Sequence, residues 1–165
     1  MKIKKSVFKE SLDKLENDYE IMYLSGVGNA GLTIQTHPYY EMIMLLAGEV
    51  AYQTKDGIYV LDPGDIMFFG TYAQHCPIVL NRSLPYERIV LNINPEKLQY
   101  LSRDVLDLSE CFNLKKKGFF RFPYPVQNYI RFLLGKLLGL RQSMPFGNEL
   151  LADSYLIELF VAISE

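Results

Sequence analysis

The stretch HPYYEMIMLLAGEV, residues 37–50, has the alternation of a β-strand that is buried on both faces. Both faces are mostly apolar, so we expect one to line the inside of a small barrel and the other to lie under helices. An imidazole and a carboxylate then lie inside, and a buried charge needs a partner, a ligand or a raised pKa. The first face consists of His37, Tyr39, Glu41, Ile43 and Leu45, and the second of Tyr40, Met42, Met44 and Leu46.

Short strand-like segments separated by turn residues surround this stretch, from about residue 19 to residue 94. Asp56 and Gly57 form a strong hairpin signal, and the sequence DPGD at residues 62–65 predicts another turn. Strands this short and regularly spaced favour a β-sandwich or barrel over alternating βαβ units.

The pattern changes after Pro95, where helical periodicity replaces alternation. PEKLQYLS predicts a short helix with proline in its first turn. Residues 124–140 have the apolar spacing of an amphipathic helix, and a second helix is predicted from about Asn148 to Ile163. We therefore expect an N-terminal arm at residues 1–18, a β body at 19–94 and an antiparallel helical pair within 95–165.

Composition argues against several classes of function. The 165 residues, 49% hydrophobic and 22% charged, fit one globular domain. The net charge of −2 is unlike that of a nucleic-acid-binding module, which is normally basic. The sequence has neither a signal-peptide pattern nor an apolar run of about 18 residues, so we expect a cytoplasmic protein without a membrane partner.

The polar residues of the first stretch resemble the first motif of the cupin fold. That motif is His-x-His, three or four residues, Glu, six residues and Gly. His37, Glu41 and Gly48 match it, and Gln35 takes the place of the first histidine.

The second cupin motif is Gly, five residues, Pro-x-Gly, two residues and His. Gly64 and His75 match its ends, whereas Gly70 and Tyr72 replace the middle Pro and Gly. In metal-dependent cupins such residues hold iron, manganese, nickel or zinc, which imidazole and carboxylate ligands suit. A small metal-dependent cupin enzyme, of the isomerase or dioxygenase type, is therefore the alternative function.

A more specific resemblance covers about residues 19–165. Together with residues 37–50, YVLDPGDIMFFGTYAQH (residues 59–75) and PYERIVLNINPEKLQYLS (residues 85–102) look like the N-terminal domain of AraC/XylS-type transcription regulators. The resemblance implies a cupin-type jelly-roll barrel that binds a small effector, such as a sugar or another metabolite, followed by helices that form a homodimer. It implies no catalytic residue, metal or other cofactor. In that family DNA binds to a C-terminal helix-turn-helix unit, which nothing in this chain resembles, so DNA contact is expected only through such a further region.

The predicted effector site combines inward-facing polar groups with apolar walls. Arg88 either pairs with Glu41 or holds an anionic group. In a closed core without an effector, His37 and Glu41 would satisfy each other. The expected walls are Ile43, Leu45, Phe68 and Tyr39. The predicted effector-binding residues are Gln35, His37, Tyr39, Glu41, His75 and Arg88.

Two neighbouring apolar rows on the first long helix predict the dimer contact. They are too wide for a single contact, so we expect one row to pack on the barrel and the other on a partner subunit. The rows are Ile130, Leu134 and Leu138, and Val126, Leu133 and Leu137.

Overall fold

The fold comes from a computed structural model, and the structure describes residues 9–10, 15–27, 33–102, 106–112, 119–140 and 147–164. Most of the predicted arm, residues 1–18, lies outside these ranges. The strands are β1 (Lys9–Glu10), β2 (Tyr19–Gly26), β3 (Gln35–Thr36), β4 (Tyr40–Ala47), β5 (Val50–Thr54), β6 (Gly57–Leu61), β7 (Ile66–Phe69), β8 (His75–Val79), β9 (Tyr86–Ile93) and β10 (Phe119–Phe120). The helices are α1 (Pro95–Leu101), a 3₁₀ helix (Leu108–Phe112), α2 (Tyr124–Leu140) and α3 (Asn148–Ser164).

The described strands form two five-stranded sheets, in the orders β1-β3-β8-β5-β6 and β10-β7-β4-β9-β2. The strands pair antiparallel except for β1 with β3. From β2 to β9 the described residues contain strands and turns without a helix, and the helices follow. The predicted fold class, a mainly β jelly roll of cupin type followed by a helical pair, is confirmed.

The two faces of β4 divide the apolar core into two clusters. Ile43 and Leu45 belong to a cluster between the two sheets, which we call the jelly-roll interior. Met42 and Met44 belong to a second cluster that includes the buried side chains of α2 and α3. The prediction that one face lines the barrel while the other lies under the helices is therefore confirmed.

The motif glycine, Gly48, lies in the tight connection from β4 to β5. Its φ of +109° is a conformation that side chains of L-residues rarely adopt, and a Cβ there would approach the Pro85 carbonyl oxygen to 2.8 Å. The backbone conformation requires a glycine here, so the motif glycine Gly48 is explained by the turn between β4 and β5 and indicates no role in binding or catalysis.

After the jelly roll the chain returns to the sheet edge at β10, which pairs with β7. Beside this edge the guanidinium of Arg121 donates two hydrogen bonds to the carboxylate of Asp65, at 2.9 and 2.6 Å. Asp65 is buried in the turn before β7 and also accepts a hydrogen bond from the backbone N–H of Asp62 at 2.7 Å. The clamp formed by Asp65 and Arg121 ties the segment that precedes α2 to the β body.

The helices α2 and α3 form an antiparallel pair. Near one end the side chain of Asn148 donates to the carbonyl of Leu140 at 3.1 Å, and toward the other end Tyr129 donates to Glu158.

In the part of the chain that the structure describes, no helix has both the length and the apolar character that a membrane crossing needs.

The prediction that α2 leaves one apolar row for a partner subunit is wrong. Both rows pack into the cluster on the helix side of the sheet, because α2 lies against the β body and α3 covers it within the same chain. The fully buried members are Ile130, Leu133, Leu134 and Leu137, and the partly buried ones are Val126 and Leu138.

Candidate functional site

The two histidines and one glutamate meet in the jelly roll. His37 immediately follows β3, Glu41 is in β4 of the opposite sheet, and His75 begins β8, which lies beside β3. His37 Nε2 lies 3.1 Å from Glu41 Oε2, and His75 Nε2 lies 2.7 Å from the same oxygen. All three residues are buried, and their closest ligand-type atoms lie within 4.8 Å of one another. We call this group the His–Glu–His cluster.

Backbone carbonyl groups fix the orientation of both imidazole rings. His37 Nδ1 lies 2.9 Å from the carbonyl oxygen of Tyr39, and His75 Nδ1 lies 2.9 Å from that of Ala73. A carbonyl oxygen can only accept, so each Nδ1 carries a hydrogen and donates it. Each Nε2 is directed to the centre of the cluster: in a neutral ring it keeps a lone pair that can bind a metal ion, and in a protonated ring it donates to the carboxylate of Glu41.

The environment of Glu41 favours its ionised form. Burial alone would raise its pKa, but the hydrogen bond with His37 and the close approach and charges of both imidazoles outweigh burial and lower the pKa to about 2. His75 Nε2 approaches the carboxylate without the alignment of a hydrogen bond. The cluster therefore offers a carboxylate and an imidazole nitrogen whose bonding capacity within the protein is not used up.

Aromatic rings hold the two imidazoles in place. The Tyr39 ring stacks on His37 with 4.1 Å between ring centres, and the Phe69 ring stacks on His75 at 3.9 Å. Because each ring is packed on one face and bonded through Nδ1, the positions of the two Nε2 atoms are set by the fold rather than by a ligand.

The other predicted site residues lie near the cluster to different extents. Gln35 is opposite His75 in the register of β3 and β8, but its side chain is exposed. Arg88 is half-buried on the inward face of β9, and its guanidinium carbon lies 4.1 Å from the centre of the Tyr86 ring. Within the described ranges Arg88 forms no ion pair with Glu41, and the binding of an anionic group by Arg88 stays a prediction.

Phe68 was expected in the wall of the site, and this expectation is wrong. Its ring packs against Phe112 and Phe120 on the helix side of the sheet. The inward residue is its neighbour Phe69, which belongs to the interior cluster. All of β7 is buried, so the sequence of this strand lacks the polar positions that would mark its inward face.

Three polar residues of the interior were not predicted. Tyr52 and Tyr86 hydrogen-bond to each other through their hydroxyl groups, and both are buried. Asn92 is opposite Glu41 in the register of β4 and β9, is 5% exposed, and its Oδ1 has no hydrogen-bond partner among the described residues. Strand alternation from Arg88 would have placed Asn92 on the inward face, four residues along the same strand.

Comparisons with known proteins agree with this architecture. A family model described as the AraC-like ligand binding domain matches residues 33–160. Among solved structures, the AraC-like transcriptional activator CuxR has a TM-score of 0.55 and 7% identity, over 78% of this chain and 43% of that chain. At this identity the likeness is one of fold. No curated protein matches the sequence.

Two further solved structures align with about half of this chain. AerE from Microcystis aeruginosa has a TM-score of 0.43 and 23% identity, over 47% of this chain and 37% of that chain. A cupin 2 conserved barrel domain protein from Salinispora arenicola has a TM-score of 0.44 and 9% identity, over 52% of this chain and 71% of that chain. This chain therefore spans less than half the length of AerE and of CuxR.

Proposed function

Because the chain belongs to the family of AraC-like ligand binding domains, we propose that it binds a small-molecule effector in the jelly-roll interior and controls an AraC-type transcription regulator. In this proposal the regulator is cytoplasmic, DNA is bound by a helix-turn-helix region outside this chain, and the chain is not itself an enzyme. The net charge of −2 supports a sensing role rather than direct DNA contact.

The observation that carries the proposal is the convergence of buried polar groups inside an apolar shell. Ligand pockets are mostly apolar and contain a few placed polar groups that orient the ligand. The His–Glu–His cluster with Tyr39 stacked on His37, together with Arg88 farther along the inward face of β9, supplies such groups. A core that served stability alone would gain little from them, since buried polar groups need partners to offset their desolvation.

Transmission of the signal follows from the two faces of the sheet. Residues of β4 and β9 that face the interior alternate with residues that pack against the helices. An effector that fits one arrangement of the strands better than another shifts the population between them, by no more than its difference in affinity. In this proposal the position of the helices changes with the arrangement of the strands against which they pack.

Exchange of Glu41 for Gln tests the binding site. We expect some members of a metabolite library to stabilise the wild-type chain. A compound at about 100 times its dissociation constant adds about 2.7 kcal/mol, or roughly 5–10 °C in Tm. The Glu41→Gln and His75→Asn variants should lose most of this shift, because they change the groups that meet in the cluster. Thermal denaturation with and without each compound measures it.

Glu49→Gln is the matched control, because Glu49 is exposed at the turn before β5. This variant should keep the full thermal shift. Compounds that stabilise wild-type protein, Glu41→Gln and His75→Asn equally would place binding outside the interior and contradict the proposal.

A homodimer through the helices remains part of the proposal, but on a different surface from the predicted rows. Phe132 on α2 is 55% exposed and Leu150 on α3 is 75% exposed, and Tyr129 and Leu151 are exposed on the same helices. Exposed apolar side chains on two helices that pack side by side favour an interface, and a symmetric dimer is the commonest way to cover them.

Exchange of Phe132 for Asp tests this surface. We expect the wild-type chain to sediment as a dimer at micromolar concentration and the variant to dissociate at least about tenfold more readily, because a charge replaces a central aromatic contact. Ile58→Asp is the matched control, since Ile58 is 62% exposed on β6, in the sheet that does not pack against the helices. Analytical ultracentrifugation measures the association. A wild-type monomer, or equal weakening by both variants, would contradict the proposed interface.

The second candidate function is a metal-dependent cupin enzyme, and the orientation of the imidazoles favours it. Each histidine donates through Nδ1 to a backbone carbonyl and directs Nε2 inward, which is how metal-binding histidines are commonly held. His37, Glu41 and His75 would hold the ion, and two imidazoles with one carboxylate suit iron, manganese, nickel or zinc. Such an ion would supply Lewis-acid chemistry. Stoichiometric metal in the purified protein would favour this function over effector sensing.

A further inference from the structure

Arg88 carries a positive charge in the interior that the described part of the protein does not match. Its side chain is half-buried on the same face of β9 as Tyr86 and Asn92. No described carboxylate lies within 4 Å of its guanidinium nitrogens, and the guanidinium carbon lies over the Tyr86 ring. The carboxylate of Glu41 is instead in contact with the two imidazoles. Glu20, the inward carboxylate of β2, is opposite Asn92 rather than Arg88.

The Tyr52–Tyr86 pair adds a donor next to this charge. Two hydroxyl groups carry two hydrogens, and the bond between them uses only one. No second acceptor for either hydroxyl is found among the described residues. Burial raises the pKa of both phenols, so both stay protonated, and the charge of Arg88 acts on each of them. A guanidinium and a phenol hydrogen are therefore both free to bind a group that only accepts.

Asn92, at the other end of β9, offers a hydrogen-bond acceptor where Arg88 and the tyrosine pair offer donors. Its buried Oδ1 is an acceptor without a partner, beside Glu41. Four residues of extended strand separate it from Arg88, which is about 13 Å between Cα atoms. A ligand that complements the interior therefore carries a negatively charged acceptor at the Arg88 end and a hydrogen-bond donor at the Asn92 end.

We infer that the effector is a small organic anion: its carboxylate binds Arg88 and a hydroxyl of the Tyr52–Tyr86 pair, and a hydroxyl or amide hydrogen at its other end is donated to Asn92 Oδ1. This inference rests on the proposed function, since both use the jelly-roll interior. A planar carboxylate matches the two parallel donors of a guanidinium. A neutral sugar would close the interior over an unmatched charge, which is unfavourable.

The test uses pairs of compounds that differ in charge alone or nearly so: D-gluconate with D-glucitol, and acetate with acetamide. In ¹⁵N-labelled protein the Nε–Hε signal of Arg88 is identified by its loss in Arg88→Gln. We expect gluconate and, more weakly, acetate to shift this signal saturably, and glucitol and acetamide to leave it unchanged. Arg88→Gln should weaken gluconate binding roughly 10- to 100-fold, because charge-assisted hydrogen bonds are lost.

Asn92→Ala separates the two ends of the ligand. It should weaken gluconate binding several-fold and leave acetate binding unchanged, because acetate has no hydroxyl group to donate. Arg82→Gln is the charge-matched control on an exposed turn and should change neither. If Arg88→Gln does not fold, Arg88→Lys keeps the charge without the planar pair of donors, and gluconate should then bind with intermediate affinity.

Three results would overturn the inference. They are glucitol binding as tightly as gluconate, gluconate affinity that does not depend on Arg88, and no saturable shift of the Arg88 signal by either carboxylate. In the first two cases a thermal shift that still depends on Glu41 would leave the sensing function standing. Stronger shifts with inorganic phosphate than with either carboxylate would replace the carboxylate by a phosphorylated ligand.

Discussion

The Asp65→Ala variant is expected to lose about 3 kcal/mol of unfolding free energy, since it removes a buried carboxylate that accepts several charge-assisted hydrogen bonds. Asp65 is 1% exposed and accepts from Arg121 and from the backbone N–H of Asp62. Without the carboxylate, the turn before β7 loses the hydrogen bond from the backbone of Asp62, and the segment after β10 loses its bonds through Arg121 to Asp65. Urea unfolding at neutral pH measures the difference.

Asp62→Ala is the matched control for this prediction. The side chain of Asp62 also contacts Arg121, at 2.8 Å, but it is 69% exposed. Exposed ion pairs contribute about 0–1 kcal/mol, so this variant should stay close to wild type. Equal losses in the two variants would show that burial of Asp65 is not what makes the clamp stabilising.

Acid should destabilise the protein through Glu41. Its pKa is about 2 in the folded chain against an ordinary value of 4.5. The unfolded chain therefore takes up a proton at a higher pH than the folded chain does. The stabilisation is fully present above about pH 5 and is lost as the pH falls from 4.5 toward 2, with a total of about 3 kcal/mol. Urea unfolding at a series of pH values from 7 down to 2.5 measures the loss.

Glu41→Gln isolates this contribution, because the other acidic groups remain. The variant should lack the steep loss of stability between about pH 4.5 and 2 that the shifted pKa gives the wild type. Glu49→Gln should follow the wild-type curve. Parallel curves for wild type and Glu41→Gln would mean that the two imidazoles do not hold Glu41 in its ionised form.

Much of the fold could be predicted because each signal in the sequence has a local cause. Alternation in residues 37–50 gave both faces of β4, and Asp56 with Gly57 marked the β5–β6 hairpin. The helical spacing of residues 124–140 gave α2 with its bounds. The convergence of His37, Glu41 and His75, expected from the cupin spacing, is found in the structure. What they bind remains a prediction.

The rest depends on contacts that sequence periodicity does not encode. β7 is apolar at every position, so alternation alone left open whether Phe68 or Phe69 faces inward. The two rows of α2 looked too wide for one partner, because periodicity does not show that α3 supplies a second partner within the same chain. The importance of Asn92 comes from its register with Glu41, which requires the pairing of β4 with β9.

The alternation of β4 and β9 also has a consequence for protein engineering. In β4 the odd-numbered residues from Glu41 to Leu45 face the jelly-roll interior and the even-numbered ones face the helices, whereas in β9 the parity is reversed. Under the proposed function, substitutions at the inward positions would change ligand specificity, while the residues that contact the helices stay the same. Deletion of a single residue within β4 would exchange the two sets over part of the strand and damage recognition and helix packing together. Libraries for this scaffold should vary substitutions at inward positions and keep the strand lengths fixed.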